Sequence, residues 1–168
     1  MSTTLSATWK RLALVVLIGS TVGCDRVTKH FAEQALVLAP QQSFLSDTIR
    51  LEYVENAGAF LALGADWPPA IRLAIFTYGS GLLMIAVLAT AVRFRWSGPA
   101  LVGTCLYVAG GASNLADRII RGSVIDFLNV GVGPVRTGIF NVADMAIMLG
   151  VALLLVALYR SERSPRHA

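Results

Sequence analysis

The sequence predicts an all-α membrane protein: a bundle of four transmembrane helices with a small β-rich segment on its outer side. Three observations carry this reading. The 168-residue chain is 55% hydrophobic and only 14% charged, more apolar and less charged than a soluble domain. Three stretches are almost free of charge: Leu73–Val92, Trp96–Ala116 and Thr137–Tyr159, the last with Asp144 as its only charge. Each is long enough to cross a hydrocarbon core of about 30 Å. Lys and Arg are also unevenly distributed. The N-terminal tail (Lys10, Arg11), the loop with Arg93 and Arg95 and the C-terminal tail (Arg160, Arg163, Arg166) hold seven basic residues and one acidic residue, whereas the remainder holds seven basic and nine acidic. This bias places both termini in the cytoplasm. It also accounts for the net charge of +4 without a nucleic-acid partner. The length fits one membrane-embedded domain over 1–168.

The elements follow in order. Helix one is expected over about 9–36. Its charge-free part, Leu12–Cys24, is too short to span alone. It spans by continuing through Asp25, with its charged end near the far interface. Residues 37–70 form the first outer segment. Within it Arg50–Val54 partly alternates, as in a half-exposed strand. Asn56-Ala-Gly58 reads as a turn, and Asp66-Trp-Pro-Pro69 as a boundary before a helix over about 71–92. Helix three is expected over about 98–120 and helix four over about 139–159. Between them lies a second outer segment, 121–138, punctuated by Gly122, Gly131, Gly133, Pro134 and Gly138. Cys24 and Cys105 fall in helices one and three without CxxC or His-rich spacing. They read as small packing residues, not as a disulfide or metal site.

The polar residues inside this apolar frame point to a site. A carboxylate at bilayer depth costs roughly 2.5–3.5 kcal/mol and marks function by default. At 1.5 Å per helical residue, Asp25 stands about 21 Å above Arg11, Asp144 about 22 Å above Tyr159 and Asn114 about 27 Å above Trp96. Three helices thus bring polar groups to the same outer third of the membrane. Asp126 follows helix three closely enough to fold back to that level. Asp25 and Lys29 are i,i+4 in the favourable order for an ion pair. Gly103, Gly110, Asn114 and Arg118 share one face of helix three, and Ala109-Gly-Gly-Ala-Ser113 permits close helix approach. Asn141 and Asp144 are i,i+3.

Two carboxylates at close range, Asp126 and Asp144, cannot both ionise cheaply, so one stays protonated beside an ionised partner. Such a pair activates water and protonates a carbonyl oxygen. His30 and His167 are the only histidines, and neither offers a base beside a nucleophile or a zinc ligand set.

Five motifs now resemble those of a known family, the bacterial lipoprotein signal peptidases (signal peptidase II). They are Asp25-Arg-Val-Thr-Lys29, Asn56-Ala-Gly-Ala-Phe60, Gly110-Gly111 with Asn114-Leu-Ala-Asp-Arg118, Val124-Ile-Asp-Phe127, and Phe140-Asn-Val-Ala-Asp144. Their order and the four-helix topology agree over about Leu12 to Leu158. The resemblance implies an aspartyl endopeptidase of the bacterial inner membrane, acting at its outer, periplasmic face. It would cut prolipoproteins before a cysteine that carries diacylglycerol. It implies Asp126 and Asp144 as the catalytic pair, with Asn56, Asn114, Arg118 and Asn141 positioning substrate or dyad. Asp25 and Lys29 would support the site and Asp117 would hold the end of helix three. No cofactor and no metal are implied. The partners expected are prolipoprotein substrates and membrane lipids, and a monomer is the simpler expectation. Three features depart from the family pattern: Asn129 stands where a second acid is common, Val135-Arg-Thr-Gly-Ile139 is poor in aromatics, and Ser113 replaces a usual Gly.

Other readings remain open from the residues alone. Thr21-Val-Gly-Cys24 after Lys10 and Arg11 resembles a lipoprotein signal, against which stand the three further apolar spans. An ion- or proton-coupled transporter would use the same aspartates for ion binding. An inactive scaffold would bind precursors without turnover.

Overall fold

In a computed structural model the protein is described over residues 2–59 and 63–163. Phe60 of the second motif, and Arg166 and His167 of the tail, lie outside the described residues. Within the described residues the elements are α1 (Ser2–Leu36), β1 (Gln42–Phe44), β2 (Ile49–Asn56), α2 (Pro69–Arg93), α3 (Gly98–Arg121), β3 (Val124–Val132), β4 (Val135–Arg136) and α4 (Val142–Arg163). Helix α1 starts upstream of Trp9, at Ser2. Among the described residues, three helices are long and apolar enough to cross a membrane: Ala7–Leu36, Pro69–Arg93 and Val142–Ser161.

Helix α3 is the polar exception and the packing centre. It contacts α1, α2 and α4. It buries Ser113, Asn114 and Asp117 together with Gly103, Ala109 and Gly110. Glycine permits that approach. A Cβ on Gly103 would sit 2.7 Å from the Gly150 carbonyl, and one on Gly110 would sit 2.5 Å from the Ala143 carbonyl. These contacts draw α3 against α4, as small residues do between membrane helices.

The polarity is inverted relative to a soluble bundle. Val15, Val16, Leu82, Ile85, Leu155 and Val156 face outward, while Asp25, Lys29, Asp117 and Asn141 are at most 2% exposed. Cys24 also faces outward and is no packing residue of the interior; both cysteines are free.

Three breaks in the helices position the site. Pro69 opens α2, where the fixed φ of proline suits a first turn. The next residues, Leu73–Gly79, form a π-helical stretch, a feature often found at functional sites. Trp67 stacks on Phe76 of that stretch at 5.7 Å. At the other end of the bundle α3 stops at Gly122, whose φ of +79° only glycine adopts without strain. Its N–H bonds the Arg118 carbonyl at 3.0 Å. The chain turns at once into β3, which carries Asp126.

The second outer segment therefore supplies strands as well as turns. The sheet is antiparallel in the order β1-β2-β3-β4. Val54 pairs with Asp126 and Asn56 with Val124, with a register shift between Leu51 and Val54. Helix α4 begins at Val142, later than its apolar run suggests, because Phe140 bridges to Leu128 and Asn141 caps the helix.

Candidate active site

Eight of the nine polar residues singled out by sequence converge in two adjoining layers, and the ninth, Arg118, stands beside them. The layer nearer the sheet is built around Asn141. Its Oδ1 accepts the Asp144 N–H at 2.9 Å, and its own N–H donates to Asp144 Oδ2 at 3.2 Å. This is a reciprocal capping arrangement, N-cap to third helical residue. Asn141 is thus the start signal of α4 and lies just outside the helix. Its Nδ2 donates to Asp126 Oδ1 at 2.7 Å. One residue thereby holds both aspartates. Each carboxylate has a second donor: Asn114 Nδ2 to Asp144 Oδ1 at 2.8 Å, and Asn56 Nδ2 to Asp126 Oδ2 at 2.9 Å. The β2–β3 pairing brings Asn56 beside Asp126.

Asp126 is 2% exposed. Burial pushes its carboxyl up to about 6; the Asp144 charge adds to the rise, and the Asn56 and Asn141 bonds oppose it.

The other layer holds buried charge. Lys29 Nζ reaches Asp25 Oδ2 at 2.8 Å, Asp117 Oδ2 at 2.7 Å and Asn114 Oδ1 at 2.7 Å. It donates hydrogen bonds to Asn114 and Asp117 and is ion-paired with Asp25. Asp25 Oδ1 accepts the Ala143 N–H at 2.9 Å, in the first turn of α4. There a carboxylate satisfies an orphan amide and meets the positive end of the helix dipole. Asp25 Oδ2 also accepts the Ser113 hydroxyl at 2.6 Å. Arg118 sits apart from this network. Its Nη2 donates to the Gly58 carbonyl at 2.9 Å, tying α3 to the loop after β2, and it borders the groove described below.

Two members of the charged layer were not assigned to the site from sequence, where Ser113 stood only as a departure from the family pattern. Arg26 donates to Asp117 Oδ1 at 2.5 Å and to Ser113 Oγ at 3.0 Å, and also bonds the Ser113 carbonyl. It supplies the second cation that two buried carboxylates require. The signal was present: an arginine between Cys24 and Lys29 is as costly in a membrane helix as the aspartate beside it. Ser113 had no such signal, because its partners lie 87 or 88 residues away.

Two cavities meet the aspartates. An apolar groove of about 940 Å³ borders Asn114, Arg118 and Asp144 and descends past Ile147, Val151 and Leu155 between α2, α3 and α4. A second cleft of about 330 Å³ reaches Asp126 along the sheet, walled by Arg50, Glu52, Asn56, Asn129 and Arg136. The groove touches Asp144 and the cleft touches Asp126.

Comparison with known proteins places this arrangement. The family described as signal peptidase (SPase) II matches residues 9–160. A lipoprotein signal peptidase of Geobacter sulfurreducens is 34% identical over 157 residues, covering 91% of this chain and 94% of that protein. One of Pseudomonas syringae is 32% identical over 162 residues, covering 92% and 90%. One of Syntrophomonas wolfei is 31% identical over 163 residues, covering 95% and 98%. Two solved structures of bacterial membrane enzymes share the fold. One has a TM-score of 0.80 at 21% identity, with 93% of each chain covered; the other has a TM-score of 0.73 at 22% identity, covering 87% of this chain and 92% of that one. Five motifs in order, a family match over nearly the whole chain and a shared fold lead to one conclusion: the chain belongs to the signal peptidase II family.

Proposed function

We propose that Asp126 and Asp144 are the catalytic pair with which this membrane peptidase removes signal peptides from prolipoproteins. The observation that carries the reading is the double hold of Asn141, whose side chain bonds one aspartate and whose backbone bonds the other. In the mechanism the pair carries one proton between them. The ionised carboxylate takes a proton from water as that water attacks the scissile carbonyl carbon. The protonated carboxyl donates to the carbonyl oxygen, giving a neutral tetrahedral diol. Collapse of the diol breaks the C–N bond, with a proton passing to the leaving nitrogen. Asn56 and Asn114 hold the two carboxylates from their outer sides. Lys29 holds Asn114, Asp25 and Asp117 hold Lys29, and Arg26 holds Asp117. Arg118, anchored at Gly58, shapes the mouth of the groove.

The groove favours an apolar occupant, as a signal peptide and a diacylglyceryl-modified cysteine require. Helix α3 then serves as a fourth transmembrane span: its charged and amide side chains point into the bundle and its backbone is satisfied. Basic residues at Lys10, Arg11, Arg93 and Arg95 support cytoplasmic termini in a bacterial inner membrane. The sheet then lies at the outer face. One chain supplies every group of the site, which supports a monomer with 1–168 as one domain.

The test is cleavage of a diacylglyceryl-modified prolipoprotein by purified protein. Asp126→Asn and Asp144→Asn are each expected to abolish cutting, by about 10³-fold or more, while still inserting and accumulating. Retained cleavage in either variant overturns the assignment of the pair.

A further inference from the structure

The apolar groove at Asp144 leaves the polar cleft at Asp126 without an occupant. The cleft's walls are unlike those of the groove. Arg50 and Glu52 stand on one strand, Asn129 and Arg136 on the others, and Asn56 and Asp126 close its inner end. A peptidase with one reactive pair and two dissimilar cavities meeting at that pair has a substrate of two dissimilar halves. An apolar signal segment fits the groove. The polar residues beyond the modified cysteine then have the cleft as their route outward.

The charges in the cleft are arranged unevenly. Arg136 makes its hydrogen bonds to neutral acceptors: Nε to Asn129 Oδ1 at 2.5 Å, Nη1 to the Asp47 carbonyl at 2.6 Å and Nη2 to the Thr48 carbonyl at 3.4 Å. The carboxylate it approaches, Asp47, is 3.6 Å away. That carboxylate is already gripped at both oxygens by Arg50, at 2.7 and 2.5 Å. Two guanidiniums therefore share one carboxylate behind the cleft, and the Asn129 wall keeps a positive excess. Glu52 lies along the same cleft and interacts with Arg50. The result is a cleft with a positive wall at Asn129 and Arg136 and a negative side chain at Glu52.

We propose that this cleft binds the first residues after the modified cysteine, and that Asn129 with Arg136 makes it select an acidic over a basic side chain there. The proposal rests on the peptidase reading above and adds a site for the product half of the substrate. Asn129 is the determinant because its neutral amide leaves Arg136 only a share of the Asp47 carboxylate, 3.6 Å away, whereas an aspartate in its place would pair with Arg136 directly.

The experiment uses purified full-length protein and three diacylglyceryl-modified substrates that differ only in the residue after the cysteine: Asp, Ala or Lys. Wild-type kcat/KM is expected to favour Asp over Lys by about five-fold, the size of one partly screened charge contact. Asn129→Asp is expected to bring that ratio to about one, and Glu52→Gln to raise it above the wild-type value. A wild-type ratio near one, or a ratio unmoved by both substitutions, overturns the subsite. If Asn129→Asp fails to accumulate, a ratio that Glu52→Gln does not raise overturns it alone. Cleavage of the Ala substrate by wild-type protein separates the two readings. When it is cut and the ratios are flat, only the subsite falls; when no substrate is cut, the peptidase reading falls first.

Discussion

Asp126 carries an energetic cost that its neighbours do not remove. Its carboxyl is raised from 3.8 to about 6, so the folded protein prefers it protonated. The stabilisation from the protonated form is complete below about pH 4 and is lost as pH rises through about 6. At about 1.4 kcal/mol per unit the loss is roughly 3 kcal/mol. Thermal unfolding in detergent between pH 4 and 7.5 is expected to show this fall in the wild type. Asp126→Asn, which cannot ionise, is expected to remove that component of the slope; parallel curves for the two proteins would refute it. Sequence made Asp126 and Asp144 legible because charge in an apolar run is conspicuous. It also made the Asp25–Lys29 pair legible, because i,i+4 is a local rule. Ser113 was not legible as a site residue, since its meaning depends on Asp25 and Arg26 in another helix.

Helices α3 and α4 approach each other through glycine, and the approach places the chemistry. Gly110 faces the Ala143 carbonyl, one residue before Asp144 and on the same turn that Asp25 caps. Gly110→Leu is expected to push the start of α4 away from α3 and break the Asn114–Asp144 bond. Overpacking of this kind costs about 1–3 kcal/mol, and a displacement of about 1 Å lowers rate about 10²-fold. Activity and thermal unfolding of the same preparation check this; full activity would show that the contact is not needed. Gly81, near Leu115 at 3.6 Å, is a control on another interface and is expected to accept Ala. Helix positions were readable from charge-free runs. The start of α4 was less so, because its apolar run continues upstream through Phe140 while the chain there pairs with β3. The π-helical turn of α2 has no simple compositional mark. Strand β2 was half visible as an alternating stretch; β3 was not, since its side chains are buried on both faces near Val124 and Ile125 and do not alternate.

At the scale of the whole molecule, the described part of the bundle turns many apolar side chains outward and buries Asp25, Lys29 and Asp117 within. The balance of two carboxylates against Lys29 and Arg26 makes that tolerable, because buried charges persist when paired and hydrogen-bonded. Among the described residues, the groove along α4 is the large apolar space that reaches Asp144. Ala152 lines it below Asp144, so Ala152→Trp is expected to fill it and lower kcat/KM about ten-fold, chiefly through KM, or roughly 1.4 kcal/mol. A kinetic comparison with unchanged KM would remove the groove from substrate binding. The architecture as a membrane helical protein with a small sheet was legible from hydropathy and turn residues. The two-cavity layout was not, because it depends on how the sheet folds back over the bundle.

The bond from the Ala143 amide to Asp25 spans 118 residues of chain. During synthesis at about 5–20 residues per second, the first helix waits roughly 6–24 s for that partner to be made. Through that interval Lys29, one turn along the same helix, is the neutralising partner that Asp25 already has. The i,i+4 pair thus acts first as an escort for an acid entering the bilayer and only later as a support for the finished site. A nascent chain halted before α4 holds Asp25 with its escort but without its final partner. Quality-control proteases of the membrane are expected to clear such chains faster than complete ones, which pulse-chase labelling of a chain ended at residue 138 would measure.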